Sequence, residues 1–121
     1  MIIGIGVDIV DVPELEQRLA RETFLNVFSA QEREYADRLP LQRAEILAGR
    51  WAAKEAFLKA IGTGWRVEWP LNQIEVVHDA AGRPMIRLGE ALQSLLPDGA
   101  RVHCSLSHTR SAAVAYIILE R

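Results

Sequence analysis

The sequence predicts an α+β fold in a single domain spanning residues 1–121, with an antiparallel sheet, a long central helix and shorter helices beside it. Two observations lead there. The elements segregate, with one apolar strand and a run of helical segments in the first half, then strands with one short helix in the second. The composition is that of a globular protein: of 121 residues, 50% are hydrophobic and 25% charged, enough for one core and too few residues for two comfortable domains.

Residues 2–10, "IIGIGVDIV", set glycines among β-branched residues and read as a buried strand ending near Asp8 and Asp11. Pro13 opens a short helix whose first turn carries Glu14 and Glu16, favourable to the helix dipole, with Leu15 and Leu19 on its apolar face. In "SAQE", Ser29 and Glu32 have capping-box spacing and announce the next helix. Pro40 precedes a long helix over residues 41–61, which stops at Gly62-Thr63-Gly64. "NQIEVVHD", a turn at "AAGRP" and "MIRL" form a hairpin; "GEALQSLL" is a short helix; "RVHCSLSH" and "AAVAYIIL" pair as strands. No repeat or linker interrupts them.

Several function classes recede on composition. "MIIGIGVDIV" reaches Asp8 too soon for a spanning helix or a signal-peptide core, so a cytoplasmic protein with no membrane partner is expected. Cys104 is the only cysteine, which precludes an intrachain disulfide, agrees with a reducing compartment and reads as a small buried hydrophobe. No Cys and His cluster has zinc spacing, and His78 and His103 read as structural. Net charge is −2, yet residues 41–66 hold five Lys or Arg against two acids. A locally basic segment suits a ligand with a few phosphates better than a nucleic acid, which calls for a basic footprint across the domain. A solvated charged face accounts for it equally.

The stretch "RWAAKEAFLKAIGTG", Arg50 to Gly64, is apolar nearly all round yet carries Lys54, Glu55 and Lys59. Buried charge is costly unless paired or bound to a ligand. Glu55 and Lys59 are four residues apart on one helix face, where the ordinary reading is an exposed salt bridge contributing at most about 0.5 kcal/mol. Ala48 and Ala52 on that side would let a ligand approach. Asp8, at the end of the first strand, is either a strand-end cap or, with Glu55, one of two carboxylates for a Mg²⁺ that takes phosphate oxygens and waters as its other ligands, with Lys59 on the same phosphates. His108 sits in "SLSHTR", a turn rich in hydroxyls and cations that suits an anion, although a lone histidine there is more often structural.

Taken together, "GIGVDIV", "AGRWAAKEAFLKAIGTG" and "SLSHT" resemble the holo-acyl-carrier-protein synthases, the small 4′-phosphopantetheinyl transferases of fatty-acid synthesis, over essentially the whole chain. The resemblance implies the fold of that family and transfer of 4′-phosphopantetheine from coenzyme A to a serine of apo acyl carrier protein, releasing adenosine 3′,5′-bisphosphate. It implies Mg²⁺ ligands at Asp8 and Glu55, and a serine proton removed by Glu55 or by a water on the Mg²⁺. Lys59 would meet charge on the leaving group. Arg43, Arg50 and Arg83 fall to the nucleotide phosphates, Arg83 and Pro84 as its "GRP" hairpin turn, His108 and Thr109 as its "SHT" motif, and Gly62 and Gly64 as its glycine loop. Carrier docking falls to the first helix, where Glu14 replaces a basic residue and Arg18 and Arg21 compensate. Leu58 stands where the family is more polar.

Two other classes compete. An Asp on "IGVDIV" also resembles the first strand of RNase H-like nucleases, which need a mainly parallel βα core and further acids; a non-catalytic module that binds coenzyme A or a carrier protein would not require Asp8, Glu55 and Lys59 together. On an α-helix, Arg50 falls about 180° and Lys54 about 140° from Lys59, so these two cations cannot share one pocket with it within a subunit. They either form internal ion pairs or reach into a neighbouring copy. The family's homotrimers, with sites shared between subunits, favour the second expectation.

Overall fold

The structure is a computed structural model that describes residues 1–63 and 69–121. Strand β1 (Ile2–Asp11) leads into α1 (Val12–Arg18), α2 (Glu22–Leu25), α3 (Ala30–Asp37) and the long α4 (Arg43–Ile61). The hairpin β2 (Ile74–His78) and β3 (Pro84–Leu88) follows, then the pair β4 (Arg101–His108) and β5 (Ala112–Glu120). Two antiparallel sheets result, one ordered β1-β5-β4 and the other β2-β3. This is the expected α+β architecture, and among the described residues no strands pair in parallel as the core of an RNase H-like nuclease requires.

The caps act as the sequence indicates. Asp11 accepts the Glu14 N–H at the start of α1, with Pro13 in its first turn, and Ser29 and Glu32 form a reciprocal capping box. Gly62 ends α4 at φ +82°, a left-handed geometry that favours glycine. Two expectations shift: "GEALQSLL" winds into a 3₁₀ helix over Glu90–Leu95, and the four-residue α2, which has no side-chain cap, was not foreseen.

Helix α4 lies on the β1-β5-β4 sheet and is the spine of the core. Its Ala53, Ala56 and Phe57 are wholly buried with Ile74, Ala115 and Ile117. A second cluster joins Val12 and Leu15 of α1, Phe28 between α2 and α3, and Leu47 of α4. The contact between α4 and β1 is unusually close: a Cβ added at Gly4 would lie 2.2 Å from the Ala60 carbonyl oxygen, and one at Gly6 only 1.9 Å from that of Ala56. Main chain therefore packs on main chain at these points.

Strand β1 is not buried on both faces as expected. Ile5, Val7 and Ile9 are 58%, 48% and 71% exposed, and Tyr116 of β5 stands on the same face. The cause is topological: α4 covers one side of the three-stranded sheet and, among the described residues, nothing covers the other.

Candidate active site

Alternation along β1 puts Asp8 on the same face as Gly4 and Gly6, toward α4, where Glu55 and Lys59 occupy successive turns. Lys59 donates to Asp8 Oδ1 at 3.0 Å and to the Val7 carbonyl at 3.0 Å; its side chain is 55% exposed while that of Asp8 is only 12% exposed. Glu55 faces Asp8 closely enough for a side-chain hydrogen bond when one of the two carries a proton. Burial, followed by the Asp8 charge and that hydrogen bond, raises the Glu55 pKa above the usual carboxylate range, with Lys59 and Arg18 opposing.

Two half-buried acids pressed together are an unfavourable arrangement unless a proton or a cation sits between them. Hard oxygen donors of this kind suit Mg²⁺. Among the described residues no three metal-binding side chains cluster, so a cation held by Asp8 and Glu55 would complete its shell from water and phosphate oxygens.

Arg18 and Arg21, both expected on a docking face of the first helix, line the same cavity as the acids, Arg18 from the end of α1 and Arg21 from beyond it, just ahead of α2. A polar hollow of about 500 Å³ is bounded by Asp8, Asp11, Glu14, Arg18, Arg21 and Glu55. An adjoining hollow of about 410 Å³ is lined by Arg18, Arg21, Phe24, Trp51, Glu55 and Leu58. The Arg18 guanidinium stacks over Phe24 at 4.0 Å and lies 5.3 Å from the Trp51 ring, which orients it. Ala48 and Ala52 do not open a ligand path, since both are wholly buried in the two core clusters.

Arg50 and Lys54 point elsewhere, as the helical wheel requires, and both are internal. Lys54 forms the internal ion pair, so the expectation that it reaches a neighbouring copy is wrong. It is fully buried and donates to Glu32 Oε1 at 2.8 Å and to the carbonyls of Leu71 and Ile74. Glu32 also accepts from the main-chain N–H of Ser29 and Val76. No sequence feature signalled this partner, because the capping glutamate is read locally while its second oxygen serves a distant strand.

Arg50 has no carboxylate within ion-pair distance among the described residues, is 6% exposed, and its Nε lacks a partner. It borders a small cavity of about 160 Å³ shared with Tyr35, Ser107 and His108. His108 Nδ1 lies 3.2 Å from Glu45, and the Thr109 hydroxyl accepts from the Ser111 and Ala112 N–H groups, shaping the β4–β5 turn.

The remaining residues are dispersed. Arg83 is tied to Asp79 at 3.1 Å within the hairpin turn, and Pro84 pairs with His78 in the β2–β3 register. Arg43 binds Asp37 at 2.9 Å and borders a separate hollow with Arg110. Gly62 is the α4 cap, and Gly64 lies outside the described residues. One chain thus gathers Asp8, Glu55 and Lys59 at one place and Arg50 with His108 at another. Cys104 is half-buried against the core rather than fully buried as expected, and that burial pushes its thiol up to about 11.

The family model described as the 4′-phosphopantetheinyl transferase superfamily matches residues 4–117. The chain is 39% identical to the holo-[acyl-carrier-protein] synthase of Clostridium tetani, covering 99% of this chain and 97% of that one. It is 45% identical to that of Syntrophus aciditrophicus over 99% and 97% of the two chains. Among solved structures, the Chronobacterium ammoniagenes ACPS–CoA complex superposes with a TM-score of 0.87 at 34% identity, covering 97% of this chain and 96% of its own.

Proposed function

The chain belongs to the 4′-phosphopantetheinyl transferase superfamily, and on that premise we propose that it is a holo-[acyl-carrier-protein] synthase working at Asp8, Glu55 and Lys59. It transfers 4′-phosphopantetheine from coenzyme A to a serine of an acyl carrier protein, in the service of fatty-acid synthesis in the cytoplasm. The observation that carries the site assignment is the direct Asp8–Glu55 contact beside Lys59 on the wall of an open hollow.

The carrier serine Oγ attacks the phosphorus attached to pantetheine. The P–O bond to the second phosphate breaks, and adenosine 3′,5′-bisphosphate leaves with the electron pair. Glu55, on the wall of the hollow, takes the serine proton. Lys59 balances charge on the departing phosphate, and Arg18, fixed over Phe24, adds positive potential at the mouth. Asp8 holds Lys59 in place through its 3.0 Å bond. A Mg²⁺ held by Asp8 and Glu55 would supply charge neutralisation to the pyrophosphate.

Arg50, Arg83, Pro84, His108 and Thr109 serve the nucleotide end from a neighbouring subunit of a homotrimer. The open apolar face of β1 and β5 supports assembly, because contiguous exposed Ile, Val and Tyr side chains mark an interaction surface. Gly62 lets the backbone approach the ligand, Arg43 reaches the nucleotide phosphates, and Arg18 and Arg21 meet the acidic carrier.

The test is direct: incubate the protein with coenzyme A, Mg²⁺ and an apo carrier, then weigh the carrier. A gain of one phosphopantetheine is expected. An unchanged mass at saturating substrates would overturn the proposal and leave the non-catalytic module.

A further inference from the structure

Arg50 presents an unresolved problem in electrostatics: a guanidinium, almost wholly buried, with no carboxylate partner among the described residues and a buried N–H donor left over. What faces it instead comes from two other elements. The Tyr35 ring on α3 lies 5.0 Å from its central carbon, and His78 Nε2 at the end of β2 lies 3.5 Å from Nη2. The two rings lean on each other, with centroids 5.2 Å apart and planes tilted by 33°. Since arginine has no acceptor, His78 can accept from it only as the neutral ring with its proton on Nδ1. Partial desolvation, followed by the Arg50 charge, lowers the His78 pKa and favours the neutral ring.

We infer that Tyr35 and His78 are positioning residues for Arg50, a face and an edge that hold its guanidinium in one orientation so that its spare donors meet a phosphate of the nucleotide. This rests on the reading of Arg50 above. A free arginine side chain loses rotamer freedom when it binds; one already held loses less, and the gain appears as ligand affinity. Cation–π stacking also strengthens as water is excluded, which suits a buried guanidinium.

The experiment compares steady-state constants for the full chain. Tyr35→Leu should raise KM for coenzyme A about tenfold, equivalent to about 1.4 kcal/mol, with KM for the carrier unchanged and kcat within about twofold. Tyr35→Phe, which keeps the ring, should stay within about twofold of the parent. His78→Ala should raise the same KM by about threefold, and His78→Gln, which keeps an acceptor, should recover most of it. In an Arg50→Ala background, Tyr35→Leu should have no further effect; an equal effect there would mean a merely structural role and would overturn the inference. If Arg50→Ala raises KM while folded Tyr35→Leu and His78→Ala do not, the inference fails and the reading of Arg50 stands. If Arg50→Ala leaves KM unchanged, that reading fails and the inference with it. Should Tyr35→Leu not fold, the exposed His78 pair of variants carries the same comparison.

Discussion

Replacing Lys54 with methionine tests the internal ion pair that the structure substitutes for a ligand contact. The ammonium satisfies Glu32 Oε1 at 2.8 Å and two main-chain carbonyls, all in a fully buried setting. Methionine fills similar volume, so the loss is electrostatic rather than a cavity. Removing one member of a buried pair leaves an uncompensated charge and costs about 3–5 kcal/mol, a large share of the roughly 5–15 kcal/mol that holds a domain together. Glu32→Gln combined with Lys54→Met should cost less than Lys54→Met alone, because the amide still accepts from Ser29 or Val76 and no charge is stranded. Urea unfolding followed by tryptophan fluorescence, at one protomer concentration, measures both. A loss below about 1 kcal/mol for Lys54→Met would put this pair in the class of surface salt bridges and refute the reasoning.

Asp8→Ala and Glu55→Ala should each abolish carrier modification while leaving the circular dichroism spectrum unchanged; normal turnover by either at limiting Mg²⁺ would remove that residue from the site. Raising salt should increase KM for the carrier more than KM for coenzyme A, since exposed charges are screened within about 10 Å at 0.1 M, and Glu14→Arg should lower the carrier KM. Gly6→Ala should lower stability by about 1–3 kcal/mol and depress turnover, because its Cβ would meet the Ala56 carbonyl; an unaffected melting temperature would show that the backbone yields there. Inactive Glu55→Ala and Arg50→Ala chains, mixed under exchange conditions, should recover part of the activity, and an active species sedimenting as a monomer would exclude shared sites.

The sequence made the site's acids legible because strand alternation and helical spacing are local rules: Asp8 two residues beyond Gly6, and Glu55 one turn before Lys59, point where periodicity sends them. Capping at Asp11 and Ser29 was legible for the same reason. What remained hidden was long-range choice. Lys54 could be assigned to the far side of α4, but its partner Glu32 is 22 residues away and reaches it only through packing of α3. The exposure of Ile5, Val7 and Ile9 was equally invisible, since an apolar strand reads the same whether a second helix or a second chain covers it. Arg18 is oriented over Phe24 by the short α2, an element without a capping signal.

The close approach of α4 to β1 has a bearing on how the carboxylate pair is spaced. Glu55 precedes Ala56 and Asp8 follows Gly6 by two, and Ala56 and Gly6 meet through their main chains. The distance between the acids is therefore gauged by atoms common to every residue rather than by side chains that drift. Repacking Leu47, more than two turns back along the helix, would soften the core yet leave this gauge unchanged, whereas a single methyl group at Gly6 would reset it. Stability and the spacing of the two carboxylates are in this way made separable within one helix.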